Sequence, residues 1–430
     1  MSAGRVSNDD QEEHDQKSNQ SSTLTDSSSS SYTSSHQKRD GLRMIEFFSG
    51  IGGMRYGVER ALEIIQQQRQ QQQSPSAQFF LSSCIAYEIS LQANATYAHN
   101  FSHDTEKGKN KAFYVKTKLV EQLKPKDLDN QADLWTMSPP CQPFTTTRNA
   151  KQNGSQDKRT NGFKALMNLL RSIQHKPMWI LLENVKGFVG SSSLQEWYEC
   201  LHECGYTWRE YLLNPIQSAG IPNNRTRYYM ICERSDRWKS KTTDMAMGQG
   251  QIFTTLQKDE THEFINNNDS AGNQNHSQEH DKYEVKPLCN FVRDVTKEEL
   301  PAYLVPDDVL SRPWAKQLPV VTAQDKATYC FTAAYGRIYH KATGSFLLID
   351  PPDRPACADV PIERCDDMSQ LYSGKIRRFT PDELLAIFGF PSSFSFPFDI
   401  SLEKCYKLIG NSVNIFVVTQ VATELLMNIK

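Results

Sequence analysis

The chain has no apolar run long enough to cross a bilayer and no apolar leader of the secretory kind, so neither a spanning helix nor export is expected. It also lacks an excess of charge of either sign. Its 48 lysines and arginines stand against 50 aspartates and glutamates, a net charge of −2. A molecule-wide basic field is thereby excluded, and any nucleic acid must be held by a local patch. Hydrophobic residues are only 38% of the 430, and the shortfall is concentrated in a few polar segments. The ten cysteines (Cys84, Cys141, Cys200, Cys204, Cys232, Cys289, Cys330, Cys357, Cys365, Cys405) have no framework spacing, which points to free thiols in a reducing interior. Paired metal-ligand spacing is missing too. Cys200-x-His202-x-Cys204 has no second pair, the two cysteines fit one helix face, and no metal is expected. Internal repeats are not evident.

The length suffices for two or three average domains, or for one large domain with appendages. Residues 1–41 are rich in Ser, Asp and Gln and cannot bury enough apolar surface to offset their ordering entropy, so they are expected to be a disordered tail. Structure is expected from Leu42. A β-rich run, Leu42 to Phe48, stops at Ser49-Gly50-Ile51-Gly52-Gly53, and Met54, Val58, Leu62 and Ile65 then recur at helical spacing. Strand, glycine turn and helix make the opening unit of a doubly wound nucleotide-binding sheet. An acid after the second strand would strengthen that reading, and Glu88 ends the run from Phe79. It lies 35 residues after Gly53, where about 20 is usual. The Gln-rich stretch Gln66 to Pro75 supplies the excess as a low-complexity extension between helix and strand. Glu88 either takes ribose hydroxyls or is a solvent-exposed strand-end acid.

The most constrained stretch is Met137-Ser138-Pro139-Pro140-Cys141-Gln142-Pro143-Phe144-Thr145. Three prolines frame one cysteine just after the apolar strand Ala132 to Met137. Proline fixes φ and removes N–H donors, so this loop cannot continue as strand or helix. A stiff loop presenting one thiol suits a nucleophile, and the alternative is a small buried hydrophobe. Arg148 to Gly162 is polar and suits a flap over a site. A helix, Phe163 to Ile173, then leads to a buried strand, Met178 to Leu182, that ends in Glu183-Asn184-Val185. Strand ends on one sheet edge converge, which gathers Gly50–Gly53, Glu88, Cys141 and Glu183 on one rim. A helix near Ser193 to Cys204 and an element at Tyr206 to Leu213 precede Arg225-Thr226-Arg227. On an extended segment both guanidinium groups share a face, unless the pair simply decorates a strand edge. Residues 238–283 are a low-complexity insertion, and 284–373 a small recognition domain with a Pro/Asp-rich connection. Residues 374–430, with a helix over Arg377 to Phe390 and another from Ile415 to Met427, return to the first domain (42–237).

A cofactor-cradling turn, a ribose-binding acid, a cysteine nucleophile and a strand-end Glu-Asn together suggest covalent group transfer. Carbon 5 of cytosine is a poor nucleophile until a thiolate adds at carbon 6 and makes carbon 5 enamine-like. A carboxyl held against ring nitrogen 3 assists that addition, an arginine can hold the oxygen at carbon 2, and nearby arginines would lower the thiol's pKa.

Gly50-Ile51-Gly52-Gly53, Pro139-Pro140-Cys141-Gln142, Glu183-Asn184-Val185, Arg225-Thr226-Arg227 and Gly410-Asn411-Ser412-Val413-Asn414 resemble the ordered motifs of the cytosine carbon-5 methyltransferases. The resemblance runs from about residue 42 to the carboxyl terminus, interrupted by the two low-complexity segments. Within that family the chain is most similar to the eukaryotic tRNA(Asp) enzymes, the DNA-methyltransferase-like group that modifies an anticodon-loop cytosine. Cys141-Gln142-Pro143-Phe144-Thr145, the short second domain and Tyr329-Cys330-Phe331-Thr332-Ala333-Ala334-Tyr335-Gly336 carry that likeness. Lys341-Ala342-Thr343-Gly344-Ser345 departs from the group's Gly-Thr-Gly-Ser by an alanine.

The resemblance implies an α/β fold with a doubly wound mixed sheet, Rossmann-like and S-adenosylmethionine-dependent, and a small second recognition domain. It implies Cys141 as nucleophile, Glu183 as the ring-nitrogen acid, and Arg225 and Arg227 as organisers of the base and the cysteine loop. S-adenosylmethionine would be held by Phe48, Ile51, Gly52, Gly53, Glu88, Ile89, Val120, Glu121, Ser138, Asn411 and Ser412. The expected partner is tRNA, through its anticodon stem-loop, bound by a monomer without a membrane, in cytoplasm or nucleus. Duplex DNA as substrate and a catalytically weak nucleic-acid-binding relative are the alternatives. Cys330 is either a second thiol near the site or a buried β-strand cysteine flanked by packing residues Tyr329 and Phe331, and the latter is expected. Lys111, Lys116, Lys118, Lys124 and Lys126 form either a phosphate-binding cluster or a solvated face.

Overall fold

A computed structural model describes residues 41–71, 80–101, 112–140, 161–234, 251–256, 283–349 and 368–427. The tail 1–40, the stretch from Cys141 through the polar segment to 160, most of the insertion, and residues 350–367 of the connection lie outside the described residues.

Eight strands form the main sheet: β1 (Leu42–Phe47), β2 (Leu81–Glu88), β3 (Phe113–Thr117), β4 (Leu134–Met137), β5 (Trp179–Val185), β6 (Tyr206–Leu213), β7 (Arg227–Arg234) and β8 (Ile252–Phe253), in spatial order β3-β2-β1-β4-β5-β7-β6-β8. The first five in that order are parallel. Among them β1, β4 and β5, central in the whole sheet, are buried on both faces, as parallel strands covered by helices require. β7 reverses direction against β5, with Val185 opposite Arg227 and Glu183 opposite Tyr229. That reversal places the amino end of β7 beside the carboxyl end of β5. The strand order turns between β1 and β4, the crevice where doubly wound sheets hold ligands.

Helix Gly53–Gln71 lays Met54, Val58, Ala61, Leu62 and Ile65 against the sheet and the carboxyl-terminal helix Ile415–Leu426, which contributes Val417, Val418, Val421 and Leu425 to the same core. The first helix continues through Gln71, into the stretch expected to be an extension, because glutamine is a good helix former and nothing there breaks the turn. Within the segment expected to be an insertion, Ile252 and Phe253 form the edge strand β8. Phe253 meets the Tyr211 ring at 5.9 Å, enough apolar contact to fix a two-residue strand. After β3 the chain makes a 3-10 turn, Val120–Gln122.

Three short strands, β9 (Val320–Val321), β10 (Phe346–Leu348) and β11 (Ile376–Arg377), make a second small sheet. Around it lies a second core that includes Leu288, Phe331, Tyr335, Phe346, Phe379 and Tyr406. Arg377, expected in a helix, lies instead in β11 and forks onto Glu383 at 2.6 and 2.7 Å. The helix begins after Thr380, whose hydroxyl accepts from the Glu383 amide while the Glu383 carboxylate accepts from the Thr380 amide, and it spans Pro381–Phe388.

A buried polar cluster underlies the glycine turn. Tyr97 donates to Glu46 Oε2 at 3.1 Å, Cys84 Sγ lies 3.5 Å from the same hydroxyl, and the Arg55 guanidinium stacks on Phe101 at 3.9 Å. Burial pushes the Glu46 carboxyl up to about 8, against the opposing pulls of the Tyr97 hydrogen bond and Arg55. No described helix is long and apolar enough to cross a membrane.

Candidate active site

The carboxyl ends of β1, β2, β4 and β5 and the amino end of β7 meet on one edge of the sheet, and nearly every anticipated residue with described coordinates is found there. After β1 the chain turns sharply. Phe48 takes φ 56°, a left-handed conformation that a bulky residue adopts only when its surroundings force it. Gly52 follows at φ 87°, and a Cβ there would lie 2.5 Å from the Phe101 ring. At Gly53 a Cβ would lie 2.8 Å from Ser412 Oγ, so the glycine turn closes directly on the carboxyl-terminal motif. Glu88 ties this turn to β2: its Oε2 accepts from the Gly50 amide at 3.0 Å, and its Oε1 from the Ile89 and Ser90 amides at 2.8 Å each. A carboxylate offers about four acceptor positions, so capacity remains for a further donor.

This edge fits an adenosyl ligand on three observations. Ile89 stands 58% exposed immediately after Glu88, an apolar surface beside a carboxylate with spare acceptor capacity. Ser49 Oγ and Ser138 Oγ are shielded from solvent without a hydrogen-bond partner, as atoms awaiting a polar ligand would be. The turn itself is open beside Gly50, whose Cβ would meet nothing within 4 Å. Glu121 is exposed, with its carboxylate and the Phe48 ring both facing Gly162, whereas Val120 is buried in a core that includes Phe47, Tyr87 and Trp135. Ile51 likewise buries its side chain in the second core, leaving its backbone at the turn. Asn411 is exposed at the end of helix Leu402–Gly410, and Ser412 is buried.

On the other side of the crevice stands Glu183, 7% exposed, with Arg227 Nε 3.5 Å from its Oε1. Burial raises the Glu183 carboxyl above its ordinary value, and Arg227, then Arg225, hold that rise in check. The Ser138 hydroxyl sits beside this carboxyl without reaching hydrogen-bond geometry. Asn184 donates to the Pro139 carbonyl at 3.5 Å, fastening the start of the proline loop to β5. Cys141 itself lies outside the described residues.

The two arginines differ in their partners. Arg225 is 4% exposed, and its guanidinium donates to Phe331 O at 3.0 Å, Gly410 O at 3.2 Å, Ser412 O at 2.5 Å and Cys330 Sγ at 3.5 Å. It therefore clamps two distant chain segments to its own. Arg227 faces Glu183, and its Nη2 reaches Cys330 Sγ at 3.7 Å. Cys330 is thus no β-strand packing residue: it lies in an irregular loop between both guanidinium groups. Burial opposes its ionisation, yet the two arginines outweigh burial and bring the thiol below its ordinary value. Phe331 packs as expected, but Tyr329 is 51% exposed. The departure at Ala342 leaves the loop's support intact, because Thr343 O accepts from the Thr332 amide and Ser345 Oγ from the Tyr329 amide.

Sequence reasoning missed Asn184 and Cys330 as members of this edge. The adjacency of Asn184 to Glu183 was a usable signal, but nothing in the spacing linked position 330 to position 225. Of the lysines, Lys118 pairs with Asp127 at 3.2 Å and Lys116 lies over the Tyr114 ring. Lys124 and Lys126 are exposed, and Lys111 lies outside the described residues. Among the described residues no three His, Cys, Asp or Glu side chains are grouped to hold a metal.

The chain is similar to known proteins along most of its length. The model of the C-5 cytosine-specific DNA methylase family matches residues 42–427. A tRNA (cytosine(38)-C(5))-methyltransferase of Spodoptera frugiperda is 31% identical, over 88% of this chain and 97% of that protein. A DNA (cytosine-5)-methyltransferase of Dictyostelium discoideum is 30% identical, over 88% of this chain and 93% of that one. The crystal structure of a mutant Spodoptera frugiperda DNMT2 superposes with a TM-score of 0.65 at 29% identity, covering 90% of this chain and 99% of that chain.

Proposed function

The chain belongs to the C-5 cytosine-specific DNA methylase family, and on that premise we propose that it methylates carbon 5 of a cytosine in a tRNA anticodon loop, of the tRNA(Asp) type. The methyl donor of the family is S-adenosylmethionine, which when bound supplies an electrophilic methyl group on a sulfonium centre. The observation that carries the chemistry is the buried Glu183 carboxyl, lifted by desolvation and braced by Arg227.

In this reading Cys141 adds through its thiolate to carbon 6 of the cytosine, which makes carbon 5 nucleophilic. Glu183, whose burial favours the protonated carboxyl, donates a hydrogen bond to ring nitrogen 3 and stabilises the adduct as charge develops there. Arg227 holds the oxygen at carbon 2 in this reading while bracing Glu183. Arg225 locks the turn at Ser412 to the loop at Cys330, so that the cofactor side and the base side keep one geometry. Glu88 accepts from a ribose hydroxyl on its remaining acceptor position, with Ile89 also beside the ribose and Val120-Glu121 flanking the adenine. Loss of the carbon-5 proton to a base then lets the thiol leave.

Two features favour RNA. An anticodon loop is already largely unpaired, so extruding its cytosine avoids most of the few kcal/mol that a duplex would demand. The second lobe carries only three short strands among its described residues, little surface for reading a duplex groove. The Dictyostelium relative supports a second reading, duplex DNA as substrate. Incubation of the purified protein with labelled S-adenosylmethionine and either tRNA or duplex DNA separates the two. Faster labelling of tRNA is expected, and faster labelling of DNA overturns the assignment. Cys141→Ala should abolish transfer and leave cofactor binding near normal, and surviving turnover would refute the covalent route.

A further inference from the structure

The loop Thr328–Phe331 is held from several sides although it has no regular structure. The Thr328 hydroxyl donates to Pro222 O at 2.8 Å and accepts from Asn223 Nδ2 at 3.2 Å, and its carbonyl accepts from the Asn224 amide at 3.0 Å. The Tyr329 amide donates to Ser345 Oγ at 2.9 Å. Cys330 is gripped by Arg225 and Arg227, and the Phe331 ring is fully buried against Phe379 and Tyr335. Three of these four side chains turn inward. The fourth, Tyr329, leaves 51% of its surface in solvent. Among the described residues its ring has no stacking or hydrogen-bonding partner. A large aromatic on a rigid backbone is an amphipathic contact surface that loses little entropy when a flat ligand settles on it. Adjacent Cα atoms are about 3.8 Å apart, so the backbone that carries this ring is next to the cysteine whose sulfur Arg225 and Arg227 hold.

We propose that Tyr329 is a stacking platform for an unpaired base next to the target cytosine in single-stranded RNA. The proposal rests on the substrate reading above. Extruding the cytosine removes a stacking partner from each neighbouring base, and an exposed phenol beside the site can replace one of them. Every base has a π-face, so the platform fixes the register of the strand without demanding one sequence. Bases that flank a flipped nucleotide in duplex DNA stay paired and have less need of it, which makes this contact a preference for RNA loops.

The test uses the full-length protein and an anticodon stem-loop carrying 2-aminopurine immediately 5′ or 3′ of the target cytosine. Wild type and Tyr329→Phe should change the fluorescence of the probe at one of the two positions on binding, whereas Tyr329→Ala and Tyr329→Leu should not. The Leu variant keeps apolar bulk and removes only the π-face. KM for the stem-loop should rise about 5- to 150-fold in both aliphatic variants, the range expected for one base–aromatic stack. S-adenosylmethionine affinity should stay within about twofold. Active aliphatic variants with unchanged KM and an unchanged probe signal would overturn the platform alone. A wild type that neither binds nor methylates the stem-loop would overturn the substrate reading and the platform with it.

Discussion

Replacing Arg225 and Arg227 one at a time should separate stability from chemistry. In Arg225→Ala the carbonyls of Phe331, Gly410 and Ser412 lose the guanidinium that donates to them in the interior. Each buried acceptor left without a partner costs about 1–3 kcal/mol. Relief of the guanidinium's own desolvation offsets part of that sum, and about 3–5 kcal/mol remains, typical of breaking a buried charged network. Arg225→Lys should lose nearly as much, because one ammonium cannot fork onto three carbonyls of two separate segments. Arg227 carries 15% side-chain exposure and faces a carboxyl that can answer its loss by taking a proton. Arg227→Ala should therefore cost under about 2 kcal/mol in stability while removing most turnover. The same variant shifts the pH profile in a known direction. Arg227 holds the Glu183 carboxyl down against burial, so its removal raises that carboxyl further and moves the alkaline fall in activity to higher pH. Urea midpoints and methyl-transfer rates across pH would measure both effects. An Arg225→Ala protein as stable as wild type, or an Arg227→Ala profile displaced to lower pH, would refute the division of roles.

Two further outcomes follow from the glycine turn and the cluster beneath it. Glu46 is raised to about 8 from an ordinary 4.5, so its protonated form favours the folded state. Its stabilising contribution is complete below pH 4.5 and is lost as pH rises through about 8, a decline of at most about 5 kcal/mol at 1.36 kcal/mol per unit. Glu46→Gln should abolish that slope in denaturation measured from pH 5 to 9, and parallel curves for the two proteins would contradict it. Gly52→Ala must place a Cβ 2.5 Å from Phe101 at a left-handed φ. A backbone cost of about 1–2 kcal/mol plus the clash should weaken S-adenosylmethionine at least about tenfold by calorimetry. An unchanged dissociation constant would remove the turn from the cofactor's site.

Much of the fold was legible because hydrophobic period and punctuation agree locally. Leu42 to Phe47 is a β-rich run that stops at a glycine turn, Trp179 to Leu182 is a continuous apolar run, and the helix expected over Arg377 to Phe390 contains the observed Pro381–Phe388, so those elements form close to where they were expected, apart from the start of that helix. Residues that end such elements also drew notice, since a carboxyl after a strand or an arginine at every second position suits a site as readily as a solvated strand edge. Glu183, Glu88 and the Arg225–Arg227 pair were legible for that reason, and the resemblance to a methyltransferase family rests on the same short motifs.

What local pattern could not supply was any contact made across sequence distance. The antiparallel turn of β7 against β5 is what brings Arg227 to Glu183. Arg225 reaches 106 residues along the chain to Phe331 and 187 to Ser412, and no spacing rule encodes such a clamp. Cys330 looked like packing beside Tyr329 and Phe331. Only the folded chain shows it held by two cations with the tyrosine turned outward. The sequence by itself determined the elements and the kinds of groups available, because those follow from each residue and its near neighbours. The tertiary structure alone decided which groups share an environment, because burial and charge proximity arise only when distant segments close on one another.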